Sequence, residues 1–464
     1  MSALPRRRIG LVTVRFALFD PQMPAGFPDR MRAHASRSAA LLREHFDVVE
    51  TGLIESEDDA RRAAALLSAE ALDAVVFAPT MAAPPSYAAL ALKGSAAPLV
   101  IWNAPSIRRL GSGLTQSAAT EHTTTVGCVM YANVAAREGR AAPVVTAAHD
   151  DPAALADLMR TIRGVAVAGS LRGQVVLRVG DPLPGYLDVA SSTAELAEIG
   201  LREDAVALPE WEDAVESVPE AEARAFIAAL RQRWTGDPGP NAERSARIAL
   251  ALSRLFEKSA AIAGTVNCHG PFFRGSRRVG ITACLGVACQ TERGRPVSCT
   301  GDQPTAIALY VARALAGAAL YCESYAPELE SGLVLVAAGG EGDPAWAEPA
   351  GRVILERNDH YPGEQGDGTS VAFALRPGPA TILSLSPSAG GWVLAWATGE
   401  VVETRYTDMR GPNGMFRFDS GPSGEALSRW IASGATHHQA LAPGRLDVEI
   451  PPLASALGIS TVRV

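Results

Sequence analysis

Short, wholly apolar runs separated by helix-length stretches dominate the first third of the chain. Ile9–Val14, Ala74–Phe77 and Pro98–Trp102 read as buried strands, and Asp29–Phe46 and Glu57–Leu72 as helices between them. A strand covered on both faces shows no polar alternation, so this pattern predicts an α/β fold with a doubly wound parallel sheet. A second doubly wound α/β unit is expected from about residue 146. Asp150-Asp151-Pro152 is a helix start, and the run Gln174–Val179 ends in Gly180-Asp181-Pro182, a strand entering a turn. Long helices are expected over Asn241–Ala263 and Asp302–Leu320, the latter entered through Gln303-Pro304, where proline suits the first turn.

From about residue 331 the texture changes. Leu333–Ala337, Arg352–Glu356, Ser370–Leu375, Ala380–Leu385, Trp392–Trp396 and Val401–Tyr406 are short runs separated by Gly, Pro and Asp. Such spacing predicts an antiparallel sheet or barrel, a β-rich C-terminal domain. The expected division is therefore 1–145, 146–330 and 331–464.

Composition narrows the function classes. A net charge of −8 without a basic stripe argues against a nucleic-acid partner. No apolar run is long enough to cross a bilayer. The opening Pro5–Val14 has the look of a signal peptide, but Arg15 interrupts its apolar part, and a first buried strand explains it better. A cytoplasmic location is the expectation. The loop after that strand, Phe16 to Pro28, lacks a GxGxxG arrangement, so no nucleotide cofactor is expected there. The loops Arg15–Gly26 and Asn103–Gly113 are the candidate cleft loops of the first sheet. The six cysteines form no CxxC pair, and five of them fall between residues 268 and 322. They read as small buried core residues.

Candidate chemistry concentrates in the second half. His437 and His438 follow a Gly434 turn in Trp430-Ile-Ala-Ser-Gly-Ala-Thr-His-His. One imidazole of such a pair can meet a ligand while the other supports it. His269, before Gly270-Pro271 at the end of an apolar run, is a candidate general base or substrate donor. Arg274, with Arg277 and Arg278, is either a holder of an anionic substrate group or part of a solvated basic loop. Gly339-Gly-Glu-Gly-Asp343 reads as a tight turn, and His360 as a surface turn. His34, His45 and His149 read as ordinary helix or loop residues.

Several stretches resemble the L-fucose/L-arabinose isomerase family. They are Leu171–Gly180 with Gly185-Tyr-Leu-Asp188, Cys299-Thr300-Gly301-Asp302 with the helix after it, Gly332–Ala338, and Trp430–His438 with Leu446–Ile459. The resemblance implies aldose–ketose isomerisation of a small carbohydrate, by proton transfer between neighbouring carbons beside a divalent ion, usually manganese. It also implies a homotrimer or homohexamer, and a first domain whose His122 reaches a neighbouring subunit's site.

The ligand positions depart from the family pattern. The family's first glutamate falls on Thr300, the second acidic ligand on Ser324 and a histidine on Ala338, leaving only His438, or its neighbour His437, as the metal ligand. Neutral hydroxyls bind a divalent ion weakly, so the standard manganese set is incomplete. Glu323, one residue from Ser324, and Asp302, also a natural helix cap, are the compensating catalytic candidates beside His269. Thr300, Arg274 and His437 are the substrate-binding candidates. Beside an isomerase stand two further readings: a catalytically silent sugar-binding or regulatory relative, and a metal-independent lyase or hydrolase on the same scaffold.

Overall fold

The computed structural model describes residues 6–140, 142–348, 352–403 and 409–464. The first sheet is built from β1 (Arg8–Val14), β2 (Asp47–Ile54), β3 (Ala74–Phe77), β4 (Leu99–Asn103) and β5 (Val144–Thr146), all parallel, in the order β2-β1-β3-β4-β5. Its helices are α1 (Phe27–Arg43), α2 (Glu57–Ser68), α3 (Pro85–Leu92), α4 (Gln116–Glu121), α5 (Thr124–Arg137) and α6 (Pro152–Ser170). Alternate residues of the apolar runs serve opposite faces. Val12, Val75, Phe77 and Ile101 pack in one core, while Leu11, Val76, Val100 and Trp102 pack in another. This period of two is how an unbroken apolar run satisfies helices on both sides.

Two strands of this sheet are missing from the sequence reading, β2 and β5. They lie at its two edges with most residues at least partly exposed, so neither reads as a buried run.

By contact the chain separates into two compact units, one of the residues up to Ser170 with Asp447–Gly458, the other of Leu171–Leu446 with Ile459–Val464. Helix α6, read from sequence as opening the next unit, packs on the first sheet through Leu158, Ile162, Val165 and Ala166. The helix Ile450–Leu457 lies against α6. Arg160 secures the approach, its guanidinium donating to Asp447 and Glu449 at 2.9 Å each.

The second unit holds a four-stranded parallel sheet. It comprises β6 (Val175–Val179), β7 (Arg202–Val206), β9 (Ala263–Val266) and β10 (Val297–Ser298), ordered β10-β9-β6-β7, while β8 (Thr235–Gly236) joins a separate sheet. The long helices span Ala242–Ser259 and Gln303–Ala316.

β-structure begins earlier than its turn pattern suggests, at β11 (Leu320–Glu328), followed by β12 (Leu333–Ala337), β13 (Ala347–Glu348), β14 (Ile354–Gly363), β15 (Gly366–Ala372) and β16 (Ala374–Leu375). After them come β17 (Gly378–Ser388), β18 (Gly391–Val402), β19 (Asn413–Phe418), β20 (His438–Pro443) and β21 (Ser460–Arg463). β19 pairs with both β12 and β18, so β19-β12-β11-β20-β17-β18 closes as an antiparallel ring. Closure leaves those six strands without a free edge. The runs Trp392–Trp396 and Val401–Tyr406 are not two strands: β18 runs through both as far as Val402, and residues 404–406 lie outside the described residues.

Gly164 of α6 sits so close to the Glu449 backbone that a side-chain methyl would drive into its carbonyl oxygen. Gly164→Ala is expected to lower stability by about 1–3 kcal/mol in thermal or denaturant unfolding, the usual cost of overpacking. Gly111→Ala, where a methyl meets open space, serves as the control and should leave unfolding unchanged.

Candidate functional site

A pocket of about 60 Å³ in the second unit is bordered on one side by residues from three places. Tyr321, Glu323 and Tyr325 come from β11, His438 from the first position of β20, and Cys299 and Thr300 from the loop that follows β10. Alternation along β11 puts the odd-numbered residues on the pocket side. Pairing of β11 with β20 sets Glu323 directly opposite His438. His438 Nε2 stands 4.0 Å from Glu323 Oε1. Ser324 points the other way, and its hydroxyl donates to Gln439 Oε1 at 2.9 Å. Of the two neighbours, Glu323 and not Ser324 faces the pocket, because only that parity reaches it.

His438 is fixed from behind. Its Nδ1 lies 2.8 Å from Asp302 Oδ2, with the two side chains 2% and 0% exposed. A carboxylate only accepts, so Nδ1 carries the hydrogen and the Nε2 lone pair is directed toward the pocket. Asp302 does two jobs, since its Oδ1 accepts from the Thr305 backbone N–H at 2.8 Å and caps the helix Gln303–Ala316. It is a positioning group behind the histidine and does not border the pocket.

Thr300 has φ of 57°, the left-handed region that β-branched residues avoid. The next residue, Gly301, also has a positive φ, and a methyl there would crowd the Pro182 backbone. The chain is thus held in a strained turn that brings the Thr300 hydroxyl 3.5 Å from His438 Nδ1.

His269 borders the same pocket. Its Nδ1 is 3.0 Å from Arg274 Nη1. A guanidinium only donates, so Nδ1 accepts and Nε2 bears the hydrogen. Burial, then the charge of Arg274, lowers its pKa. His269 is therefore a neutral hydrogen-bond donor, which favours the substrate-donor role over the general base. Arg274 itself does not border the pocket, and its Nε donates to the Pro362 carbonyl. Arg278 is a solvated surface cation bound to Glu212, Asp213 and Glu216. His437 also stands outside the lining, with Nδ1 2.6 Å from Asp188 Oδ2 and its ring 3.8 Å from that of His438.

The structure adds a residue that sequence reasoning passed over. Glu341, from the stretch read as a tight turn, is 5% exposed and borders the pocket. Burial outweighs its backbone hydrogen bond and pushes its carboxyl up to about 7, with the charge of Glu323 adding to the rise. A carboxyl at that value can take or give a proton near neutrality. The signal available in sequence was an acidic residue placed between glycines just after a barrel strand, a place where backbone can fold a side chain inward. Three thiols, Cys268, Cys284 and Cys299, and three phenols, Tyr321, Tyr325 and Tyr361, complete much of the wall. Cys268 and Cys284 are raised well above the usual thiol value, Cys268 by its hydrogen bond to Cys299 and then burial, Cys284 chiefly by burial. They stay protonated and are poor nucleophiles.

Among the described residues no group of three His, Cys, Asp or Glu is drawn together to hold a metal ion. Within the pocket lining, His438 Nε2 and Glu323 Oε1 face each other at 4.0 Å. An imidazole nitrogen and a carboxylate are donors of the kind manganese takes, with substrate or water oxygens able to complete its shell, so the pair fits such an ion in kind.

Comparison with known proteins covers part of the chain. Residues 318–460 match the family described as L-arabinose isomerase C-terminal domain. That match spans Tyr321, Glu323, Glu341 and His438, and leaves out Asp302, Thr300 and His269. No curated protein matches the chain. Among solved structures, an ABC transporter solute-binding protein from Burkholderia multivorans aligns at 15% identity over 56% of this chain and 80% of that one, with a TM-score of 0.17. No helix among the described residues is long and apolar enough to cross a membrane.

Glu341→Gln separates site chemistry from stability. The folded carboxyl titrates near 7 against 4.5 in the unfolded chain, so its contribution is intact below pH 4.5 and lost as pH rises through 7. In chelator-treated protein the glutamine variant should match the parent at pH 4 and unfold at higher temperature at pH 8. The gain is capped at about 3 kcal/mol. Equal melting temperatures at pH 8 would refute a buried, ionising Glu341.

Proposed function

We propose that the chain is a sugar isomerase-like enzyme that moves a proton between adjacent carbons of a small polyhydroxylated substrate. The observation that carries this reading is the convergence of His438, Glu323 and Glu341 on one pocket within the segment that matches an L-arabinose isomerase domain. The pocket is too small for a whole drug-sized ligand. It suits the reacting end of a sugar, with the rest of the molecule outside.

Aldose–ketose conversion removes a proton from the carbon beside the carbonyl and returns one to the neighbouring carbon through an enediol. Glu341, titrating near neutrality, is the group able to accept that proton and give it back. His269 donates through Nε2–H to a substrate oxygen and is kept in that tautomer by Arg274. Thr300 offers a hydroxyl on the same wall. A bound divalent ion would be held by His438 and Glu323 and would polarise the carbonyl and hydroxyl oxygens. Asp302 keeps the His438 lone pair turned toward the pocket.

Incubation with a panel of aldoses and ketoses in deuterated buffer, with added manganese, checks the reading by NMR. Conversion of at least one sugar, with deuterium entering at the carbon next to the carbonyl, is expected. Glu341→Gln should reduce turnover by 100-fold or more, in line with loss of a general acid–base. Asp302→Asn should lower turnover and manganese retention together. Sugar binding without exchange would instead point to the silent binding relative, and neither binding nor exchange would remove the carbohydrate reading altogether. Self-association as a trimer or hexamer and a cytoplasmic location belong to the same reading. A monomer in analytical ultracentrifugation is the contrary result for the first.

A further inference from the structure

The first unit holds a cleft of about 430 Å³ between the N-terminal half of α1 and the loops that follow β4 and β5. It lies beyond the carboxyl ends of parallel strands, the edge at which sheets of this kind receive ligands. Its size falls within the usual range for small-molecule sites.

Arg30, His34 and Arg37 are spaced four and three residues apart, so they form one stripe along α1 facing the cleft. Two of the three cleft arginines are already neutralised. Arg30 donates to Glu121 at 2.7 Å, and Arg108, from the loop after β4, donates to Asp150 at 3.0 Å. Arg37 is exposed, and no carboxylate among the described residues pairs with it. Beside it His34 is 8% exposed, and its Nε2 has no hydrogen-bond partner. The ring of His149 stands 4.4 Å from that of His34, and its own Nε2 meets the Ser38 hydroxyl at 2.9 Å.

These groups ask for one kind of ligand. A buried imidazole nitrogen without a partner, next to an uncompensated guanidinium, is satisfied by an oxyanion that accepts from both. A metal cation is disfavoured by the positive charge of Arg37, and no aromatic face is present for a base or an indole to stack on. We propose that this cleft binds a small metabolite through a phosphate or carboxylate group seated between His34 and Arg37, with His149 behind. Both imidazoles are held neutral in its absence. His34 is pushed down to about 4 by burial, then by His149 and Arg37, and His149 is pushed to about 4 by burial, then by Arg37. Glu121 and Asp150, bound to their arginines, face the cleft as the balancing carboxylates. An oxyanion at this place replaces the repulsion from Arg37 with attraction, so binding and imidazole protonation favour each other. His122 also borders the cleft, its Nδ1 2.8 Å from the Ser106 hydroxyl. All these groups lie in the first unit, and the anion titration reads them without any isomerase activity.

The test is NMR of the imidazole nitrogens in the full chain labelled at histidine, titrated with inorganic phosphate and separately with acetate at fixed ionic strength. The expected result is a saturable shift of the His34 and His149 signals with one of the two anions, and a rise in their apparent pKa on the order of one unit. Phosphate or acetate acting alone tells which oxyanion the cleft prefers. Arg37→Gln, at an exposed position, should weaken that binding roughly tenfold or more, while Arg43→Gln at the far end of the same helix leaves it unchanged. No saturable change with either anion, the same change with chloride, or equal weakening in both variants would overturn the proposal.

Discussion

The buried hydrogen bond between Asp302 and His438 is the contact on which the site depends. One carboxylate serves two structures at once, with Oδ1 ending the backbone of a helix and Oδ2 fixing a ring on a barrel strand. At 0% exposure an unsupported carboxylate would be costly to ionise. The helix N-terminus supplies a backbone donor and the favourable end of its dipole, and His438 supplies a second donor. Because these are different elements, the helix cannot shift along its axis without turning the imidazole. The cap is therefore a register pin between the parallel sheet of the second unit and its barrel.

Barrel closure does the corresponding work on the other side of the ring. Glu323 faces His438 because β11 and β20 are locked in register, and neither strand has a free edge along which to slip. A slip of one residue would send Glu323 to the opposite face and bring Ser324 to the pocket. The left-handed Thr300 fits the same account. Its strained backbone is tolerated because Gly301, the cap at Asp302 and the packing against Pro182 over-determine the turn.

How much of this was legible depends on what each residue does locally. β3 and β12 were readable to the residue because every position in them is apolar and turns bound them. β18 was not. Gly399 reads as punctuation between two runs, yet it lies inside one strand, where Phe416 and the Arg417 backbone leave no space for a side chain. Glycine marked a close approach there, not a turn. Among site residues, His438, Glu323, His269 and Thr300 do line one pocket, and Asp302 sits directly behind it. Arg274 and His437 do not line it; they meet His269 and Asp188 instead. His34 and His149, read as ordinary, meet across a cleft because β5 and α1 come together only in the folded sheet. No periodicity within either segment carries that information.

Glu341 shows why a buried acid with a raised pKa was the hardest pocket residue to see. Local sequence reports a turn whenever glycine surrounds an acidic residue, since an exposed carboxylate is the cheaper arrangement. Here the glycines have another use: Gly340 adopts φ of 129°, a conformation closed to other residues, and this folds the carboxyl inward beneath Tyr361 and beside Cys284. Burial without a cationic partner raises the carboxyl toward neutrality, and Glu323 across the pocket adds to the rise. The neighbouring thiols and phenols matter for the same reason. Cys268, Cys284, Tyr321, Tyr325 and Tyr361 are all raised above their usual values, so they stay uncharged and add no cation beside Glu341. Arginine or lysine in their place would lower the carboxyl and leave a permanent anion. The buried, thiol-rich wall, its cysteines read from sequence as plain core, is what holds the Glu341 carboxyl near neutrality.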